Sequence, residues 1–159
     1  MARQTAVVMC TYKRPGRLAQ TIADLAAQRG VRPHLYIWNN SPSIRDQIDR
    51  EAEAAPIPVT VHHSPENVGG FGRFYFAQRL VDQYDHVVFI DDDVALGPDA
   101  LAVLEDEYEP KTVRSFFGWR FHGTDDYFDR ERGAPGELVD YCGTGGMAID
   151  TAIFREPQL

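Results

Sequence analysis

The stretch that most constrains this chain is His86-Val87-Val88-Phe89-Ile90-Asp91-Asp92-Asp93-Val94, where an unbroken apolar run meets three consecutive carboxylates. A short run of that kind, rich in β-branched residues, is the pattern of a strand buried on both faces. Such strands belong to parallel sheets covered by helices on either side. Ligands in those sheets bind outside the carboxyl ends of the strands. Three adjacent acids repel one another and call for positive charge nearby, and a divalent cation holding a phosphate would supply it. The plainer alternative is that the acids open the next helix, where Asp is favoured as a cap. One Asp would satisfy that, and Gly97-Pro98-Asp99 already provides a separate helix start.

The same alternation recurs before and after this strand. Thr5–Cys10 reads as a buried strand, followed by a helix from Pro15 to about Gln28 with Leu18, Ile22, Leu25 and Ala26 on one face. His34–Trp38 is a second strand, and Ser43 is a candidate cap for a helix carrying Ile44, Ile48 and Ala52. Val59–His62 is a third strand, and the glycine-rich turn Asn67–Arg73 leads into a helix with Phe74, Ala77, Val81 and Tyr84 as its face. Leu101, Leu104 and Tyr108 mark a fourth helix. Beyond Pro110 the pattern weakens. Val113–Trp119 reads as one strand and Asp125–Gly136 as a polar loop or lid. Leu138–Cys142 and Gly146–Ile149 read as short strands, and a further helix is expected near the C-terminus. Repeated strand–helix alternation predicts a mostly parallel twisted sheet with right-handed crossovers. The 159 residues are expected to form a single domain.

Composition narrows the partners. A net charge of −8 argues against a nucleic-acid surface, and no apolar stretch is long enough for an integral membrane segment. Cys10 and Cys142 show no metal-binding spacing and read as buried reduced thiols, which suits a cytoplasmic protein.

The candidate chemistry follows the strands. Thr11-Tyr12, Asn39-Asn40-Ser41, Asn67–Arg73 and Asp91–Asp93 each lie just after a predicted strand, so a parallel sheet brings them to one edge. Gly69, Gly70 and Gly72 permit close backbone approach to a ligand, and Arg73 offers charge for a phosphate; a plain tight turn would need the same glycines. The turn matches neither the P-loop nor the dinucleotide fingerprint.

These residues resemble glycosyltransferase family 2, whose nucleotide-sugar-binding fold is called GT-A. Ala6–Arg14 is similar to the family's opening strand and loop, Ile37–Ser41 to its second-strand loop, and Asn67-Val68-Gly69-Gly70 to its Asn-x-Gly segment. Asp91-Asp92-Asp93 resembles its Asp-x-Asp signature and Gly145–Ile149 its later sugar-side strand. The turn and the triplet together are similar to galactofuranosyl- and rhamnosyltransferase-like members. The resemblance implies an α/β, GT-A-type, Rossmann-like three-layer sandwich with a mostly parallel central sheet. It also implies a donor that is a nucleoside diphosphate sugar, with uridine or thymidine as the base, and a saccharide or lipid-linked acceptor. Thr11, Tyr12 and Arg14, with Asn39 or Asn40, would face the nucleotide; Asn67, Gly69, Gly70 and Arg73 would line its approach. Asp91 and Asp92 would reach the ribose or sugar, Asp93 with Asp91 would hold Mn or Mg, and Gly145 and Gly146 would line the sugar pocket. The family commonly has Asp in the second loop, where this chain has Asn39-Asn40. Its catalytic carboxylate lies in an acidic motif tens of residues past the Gly-Gly strand, so a chain truncated after the donor-binding half is expected. The base is left unassigned, with Asp140 and Asp126 as candidates.

Two other readings remain open. One is a nucleotide-sugar-binding module without turnover. The other is a haloacid dehalogenase-like phosphotransferase in which Asp91 forms an aspartyl phosphate, although such motifs sit on a first strand rather than a fourth.

Overall fold

The computed structural model describes residues 3–155. Four strands alternate with helices: β1 (Arg3–Thr11), α1 (Leu18–Ala26), β2 (Val31–Asn39), α2 (Arg45–Glu53), β3 (Val59–His63), α3 (Gly72–Gln78), β4 (His86–Ile90) and α4 (Ala100–Asp106). Five short strands follow: β5 (Val113–Ser115), β6 (Gly118–Phe121), β7 (Arg130–Arg132), β8 (Tyr141–Cys142) and β9 (Met147–Asp150). A six-stranded sheet has the order β3-β2-β1-β4-β9-β5. Its first four strands are parallel, β9 is antiparallel to β4, and β5 is antiparallel to β9. Only β9 therefore runs against the rest, and the sheet is mostly parallel as expected. A second, antiparallel sheet is ordered β7-β6-β8.

Burial on both faces explains the unbroken apolar runs. Along β1, Val7 and Met9 pack with Leu18, Ile22, Leu25, Ile48, Leu101 and Leu104 from α1, α2 and α4. The alternate residues Ala6, Val8 and Cys10 pack with Phe76, Ala77 and Leu80 on the other face, beside Phe154. Helices thus lie on both sides of the sheet, in the expected three layers. Fully burying a side chain such as Leu35 or Phe89 contributes roughly 1.5–3 kcal/mol, so these two clusters are the main source of stability.

Handedness then fixes the switch point. The chain steps from β1 to β2 to β3 in one direction, with α1 and α2 on one face. From β3 it returns past β2 and β1 to β4, and a right-handed return places α3 on the opposite face. The direction of winding reverses between β1 and β4, and the crevice at their carboxyl ends is the place for a ligand.

Several local expectations are corrected. The helix expected from Pro15 begins as a 3-10 turn and becomes α-helical at Leu18. Ser43 does not cap α2: it lies in the 3-10 turn Pro42–Ile44, and its Oγ bonds Ser41 Oγ at 2.9 Å. The buried face of the third helical segment is Phe76, Ala77 and Leu80, while Phe74 is half-buried against Phe89. The single strand expected over Val113–Trp119 is two strands in two sheets. The chain turns at Phe116-Phe117, where Ser115 Oγ donates to the Gly143 carbonyl (2.6 Å) and accepts the Phe117 N–H (3.1 Å). The polar stretch Asp125–Gly136 contains β7, paired with β6. Charged partners carry that pairing, including Arg120 on Glu131 at 2.7 Å, so apolar periodicity gave no sign of it. The last described element is a 3-10 turn, Thr151–Arg155; the rest of the expected terminal helix lies outside the described residues. No described helix is long and apolar enough to cross a membrane.

Candidate functional site

β1 and β4 end side by side at the switch point, which brings Thr11 against the acidic turn at Asp92. Directly after β4 the chain makes a tight turn in which the Val94 N–H donates to the Asp91 carbonyl at 3.3 Å. Helix α4 opens only at Ala100, after Asp99, so the acid triplet is not its cap. The triplet is a loop in its own right.

Its three carboxylates have three different surroundings. Asp92 is buried and tied to the first loop: Thr11 Oγ1 donates to it at 3.0 Å and Arg14 Nη2 at 2.7 Å. Asp91 is held from two other directions, by Arg73 Nη1 at 2.8 Å and by Thr144 Oγ1 at 3.0 and 3.3 Å. Asp93 is the open one, its side chain 57% exposed with only a long 3.4 Å contact to Arg14. Much of the positive charge expected from a cation is therefore supplied by the protein, through Arg14 and Arg73.

Residues from the β2 and β3 loops reach the same edge but are occupied differently. The Asn40 side chain is a bracket: its Oδ1 accepts from Trp38 Nε1 and the Val68 N–H, both at 3.1 Å, and its Nδ2 donates to the Gly69 carbonyl at 2.8 Å. Asn39 Nδ2 bonds the Ser41 carbonyl and His63 Nδ1, each at 2.9 Å, while its Oδ1 accepts the Ser41 N–H. Both are buried. Their amides shape the loops at this edge of the sheet. Asn67 lies exposed and accepts the Gly69 N–H at 2.9 Å, which supports the left-handed backbone of Gly69 (φ 62°). Gly72 has ordinary helical angles, but a Cβ there would stand 2.2 Å from Trp38 Cδ1. Gly70 has neither constraint, and the space where its Cβ would lie is open.

On the far side, Gly145 and Gly146 are buried in the turn before β9. A Cβ on Gly145 would come within 3.4 Å of Asp91 Oδ2, so that glycine forms the wall beside the triplet. The small sheet flanks this wall. Its Tyr141 phenol is pushed up, first by its bond to Tyr127 and by burial, with Asp91 adding to the effect. Tyr127 and Trp119 are occupied by Arg130, whose guanidinium sits 4.1 and 4.5 Å from their ring centres. Tyr12 is exposed at the rim beneath the Lys13 ammonium.

The candidate bases belong to the segments of the small sheet. Asp140 accepts the Phe121 N–H at 3.0 Å, and Asp126 accepts the Phe128 N–H at 2.8 Å, each holding a turn of the small sheet. His63 bridges Asn39 and Asp49, and His62 packs on Trp38, so the paired histidines serve the loop scaffold. Cys10 and Cys142 are both free; burial raises the Cys10 thiol, against the pull of neighbouring Arg73. Sequence reasoning missed Thr144, because a lone threonine in a glycine-rich turn carries no signal, and it missed the pairing of Arg73 with Asp91. The sequence offers Arg73 as charge for a phosphate, not as the partner of an acid in the triplet. Its position on an otherwise aromatic helix was the stronger clue, since a buried charge needs a partner.

Among the described residues no three or more His, Cys, Asp or Glu side chains cluster so as to hold a metal ion. Asp93 and Asp91 offer hard oxygen donors, a set suited to Mg or Mn with the rest of the coordination shell left to substrate oxygens and water.

The sequence model of glycosyl transferase family 2 matches residues 6–149. No curated protein matches the chain in sequence. Among solved structures, mannosyltransferase PcManGT from Pyrobaculum calidifontis, in complex with GDP-Man and Mn2+, superposes with a TM-score of 0.60 at 20% identity, covering 71% of this chain and 34% of that one. TarS from S. aureus gives a TM-score of 0.60 at 15% identity, covering 96% of this chain and 29% of that one. TarS 1-349 in complex with UDP-GlcNAc gives 0.59 at 16% identity, with 96% and 46% covered. At such identities the likeness establishes the fold, and the expected α/β architecture with its mostly parallel central sheet stands. The chain spans less than half the length of each of these structures.

Proposed function

As the chain belongs to glycosyl transferase family 2, we propose that it is the donor-binding part of a metal-assisted glycosyltransferase. It would take a nucleoside diphosphate sugar at the crevice between β1 and β4. One observation carries this reading. Thr11 and Arg14 from the first loop, Arg73 from α3 and Thr144 from the turn before β9, three separate segments, all bond the carboxylates of a single acidic turn at the sheet's switch point.

The roles follow from the surroundings. Tyr12, exposed beside Thr11, lies at the nucleotide end, and the Asn39 and Asn40 amides hold the loops that frame it. Gly70, free of any side chain, lets backbone approach the diphosphate. Arg14 and Arg73 bring charge towards its oxygens. Asp93 and Asp91 would hold the Mn2+ or Mg2+, and Gly145 and Gly146 leave room for the sugar beside Asp91. Asp92, buried under Thr11 and Arg14, positions the turn. A bound divalent ion supplies Lewis-acid neutralisation of the charge that develops on the departing diphosphate. A saccharide or lipid-linked acceptor and a cytoplasmic site of action, which two free thiols suit, complete the proposal.

A second reading is binding without transfer. It is favoured by the engagement of Asp140 and Asp126 with backbone N–H groups, which ties up one oxygen of each candidate base. Neither the family nor the solved structures point to the phosphotransferase alternative.

The test is a thermal-shift series with UDP, dTDP and GDP and their sugars, with and without Mn2+. Stabilisation by a nucleoside diphosphate that increases with Mn2+, and is lost in Asp93→Asn, is the expected result. No stabilisation by any nucleotide would sink the donor-site assignment. Binding of the donor without transfer or hydrolysis would select the second reading.

A further inference from the structure

Arg73 is 8% exposed, and its guanidinium is fixed to Asp91 at 2.8 Å, yet its Nε is buried with no hydrogen-bond partner. A buried donor left unpaired is costly, and buried arginines ordinarily use their whole fork. Arg14 differs: its side chain is 66% exposed and can move into water at little cost. Arg73 has no such exit.

We propose that Arg73 is a resident counter-cation of Asp91 that makes divalent-ion binding at the acidic turn conditional on a diphosphate. The inference rests on the donor-site reading above and adds to it a coupling between two ligands. A dication placed on the Asp91 carboxylate would meet the guanidinium that already holds its Oδ1. Like charges at that separation repel. Thr144 Oγ1 also occupies Asp91, so an ion arriving alone finds one carboxylate already engaged and only Asp93 open. A diphosphate changes the balance. Its oxygens would accept from the guanidinium and also coordinate the ion. Asp91 is then released to serve as a ligand. Ion and diphosphate therefore bind as a pair, each raising the affinity of the other by the same factor. Thermal stabilisation by Mn2+ alone would be small in a protein built this way.

The experiment measures Mn2+ binding alone by water-proton relaxation, in the unsubstituted chain, in Arg73→Gln and in Arg73→Lys, and then repeats it with UDP present. Without nucleotide, Arg73→Gln should bind Mn2+ about tenfold more tightly or better, the factor expected from the repulsion even when screened as in bulk water. The enhancement of Mn2+ affinity by UDP should shrink correspondingly. Arg73→Lys keeps a cation but loses the planar fork, and should fall between the two. If Arg73→Gln fails to fold, the lysine variant decides, with the same sign. A purely structural arginine predicts weaker Mn2+ binding in both variants, and a purely phosphate-binding one predicts unchanged binding of Mn2+ alone. Either result overturns the proposal. If UDP, dTDP and GDP all fail to stabilise the unsubstituted chain, the donor-site reading falls and this inference with it. If nucleotide stabilisation persists while Mn2+ affinity ignores Arg73, the coupling alone falls.

Discussion

Gly72→Ala sets two opposing effects against each other, and the geometry decides the sign. Gly72 opens α3 with helical angles (φ −53°, ψ −34°), so alanine is welcome to the backbone. Helix propensity alone would stabilise the protein by up to about 1 kcal/mol. The new methyl group, however, would lie 2.2 Å from Trp38 Cδ1, 2.4 Å from Cγ and 2.5 Å from Nε1. The indole cannot yield easily. It is 5% exposed, packed against His62 and Phe76, covered by the Arg79 guanidinium, and bonded through Nε1 to Asn40. Overpacking of this kind costs roughly 1–3 kcal/mol, and stranding a buried indole N–H costs roughly a further 1–3. The net expectation is a loss of about 2–4 kcal/mol. Equilibrium unfolding in urea, with unchanged slope and a lowered midpoint, measures it. Indole fluorescence in a Trp119→Phe background reports the displacement of Trp38. A midpoint equal to or above that of the unsubstituted protein would show that the ring turns aside freely, and the argument for close approach would be wrong.

Gly70→Ala is the matched comparison. With open space at its Cβ position and no left-handed backbone, it should change stability by less than about 0.5 kcal/mol, while nucleoside diphosphate binding weakens. Unfolding midpoints and a UDP titration on one sample separate the two effects. Asp92→Asn removes the charge that receives Arg14 and Thr11 in a buried position, and should cost about 1–3 kcal/mol in urea unfolding without Mn2+ or nucleotide present. At the other end of the sheet, Glu105 is buried, which opposes ionisation. Its ion pair with His86 (3.1 Å, off the hydrogen-bond line) and the bond from Thr5 outweigh burial and hold the carboxyl below its ordinary 4.5. A depressed carboxyl contributes stability that is full above pH 4.5 and is lost as pH falls through the folded value. Glu105→Gln should flatten the acid limb of a stability–pH profile, and an unaltered limb would exclude this group as its source.

The parallel half of the fold was legible because burial on two faces writes itself into sequence as continuous apolar runs, as in Val7–Met9 and Val87–Ile90. The position of the acidic turn followed from the same runs, since winding and handedness bring Thr11 and the acidic turn together. The second sheet was illegible for the opposite reason. Strands β6 and β7 are joined by Arg120, Glu131 and Arg130 over Trp119, and none of these contacts leaves a periodic trace. Asn40 shows a subtler limit. A polar residue just past a strand looks like a ligand contact, and its amide also ties Trp38, Val68 and Gly69 into one bracket, a role no local pattern reveals.

Charge bookkeeping at the triplet shows where reading residues singly goes astray. Three adjacent acids do demand compensation, and that inference was sound. Its source could not be read locally, because Arg14 lies 78 positions from Asp92 and Arg73 lies 18 from Asp91. Three carboxylates against two guanidiniums leave one formal negative charge, so most of the compensation comes from the protein itself. The residual charge is concentrated at Asp93, the acid most open to water. On the coupling proposed above, a site arranged in this way would attract a lone ion weakly and hold one that arrives with phosphate. The division of labour among Asp91, Asp92 and Asp93 is thus set less by their place in the triplet than by the burial and the partners of each.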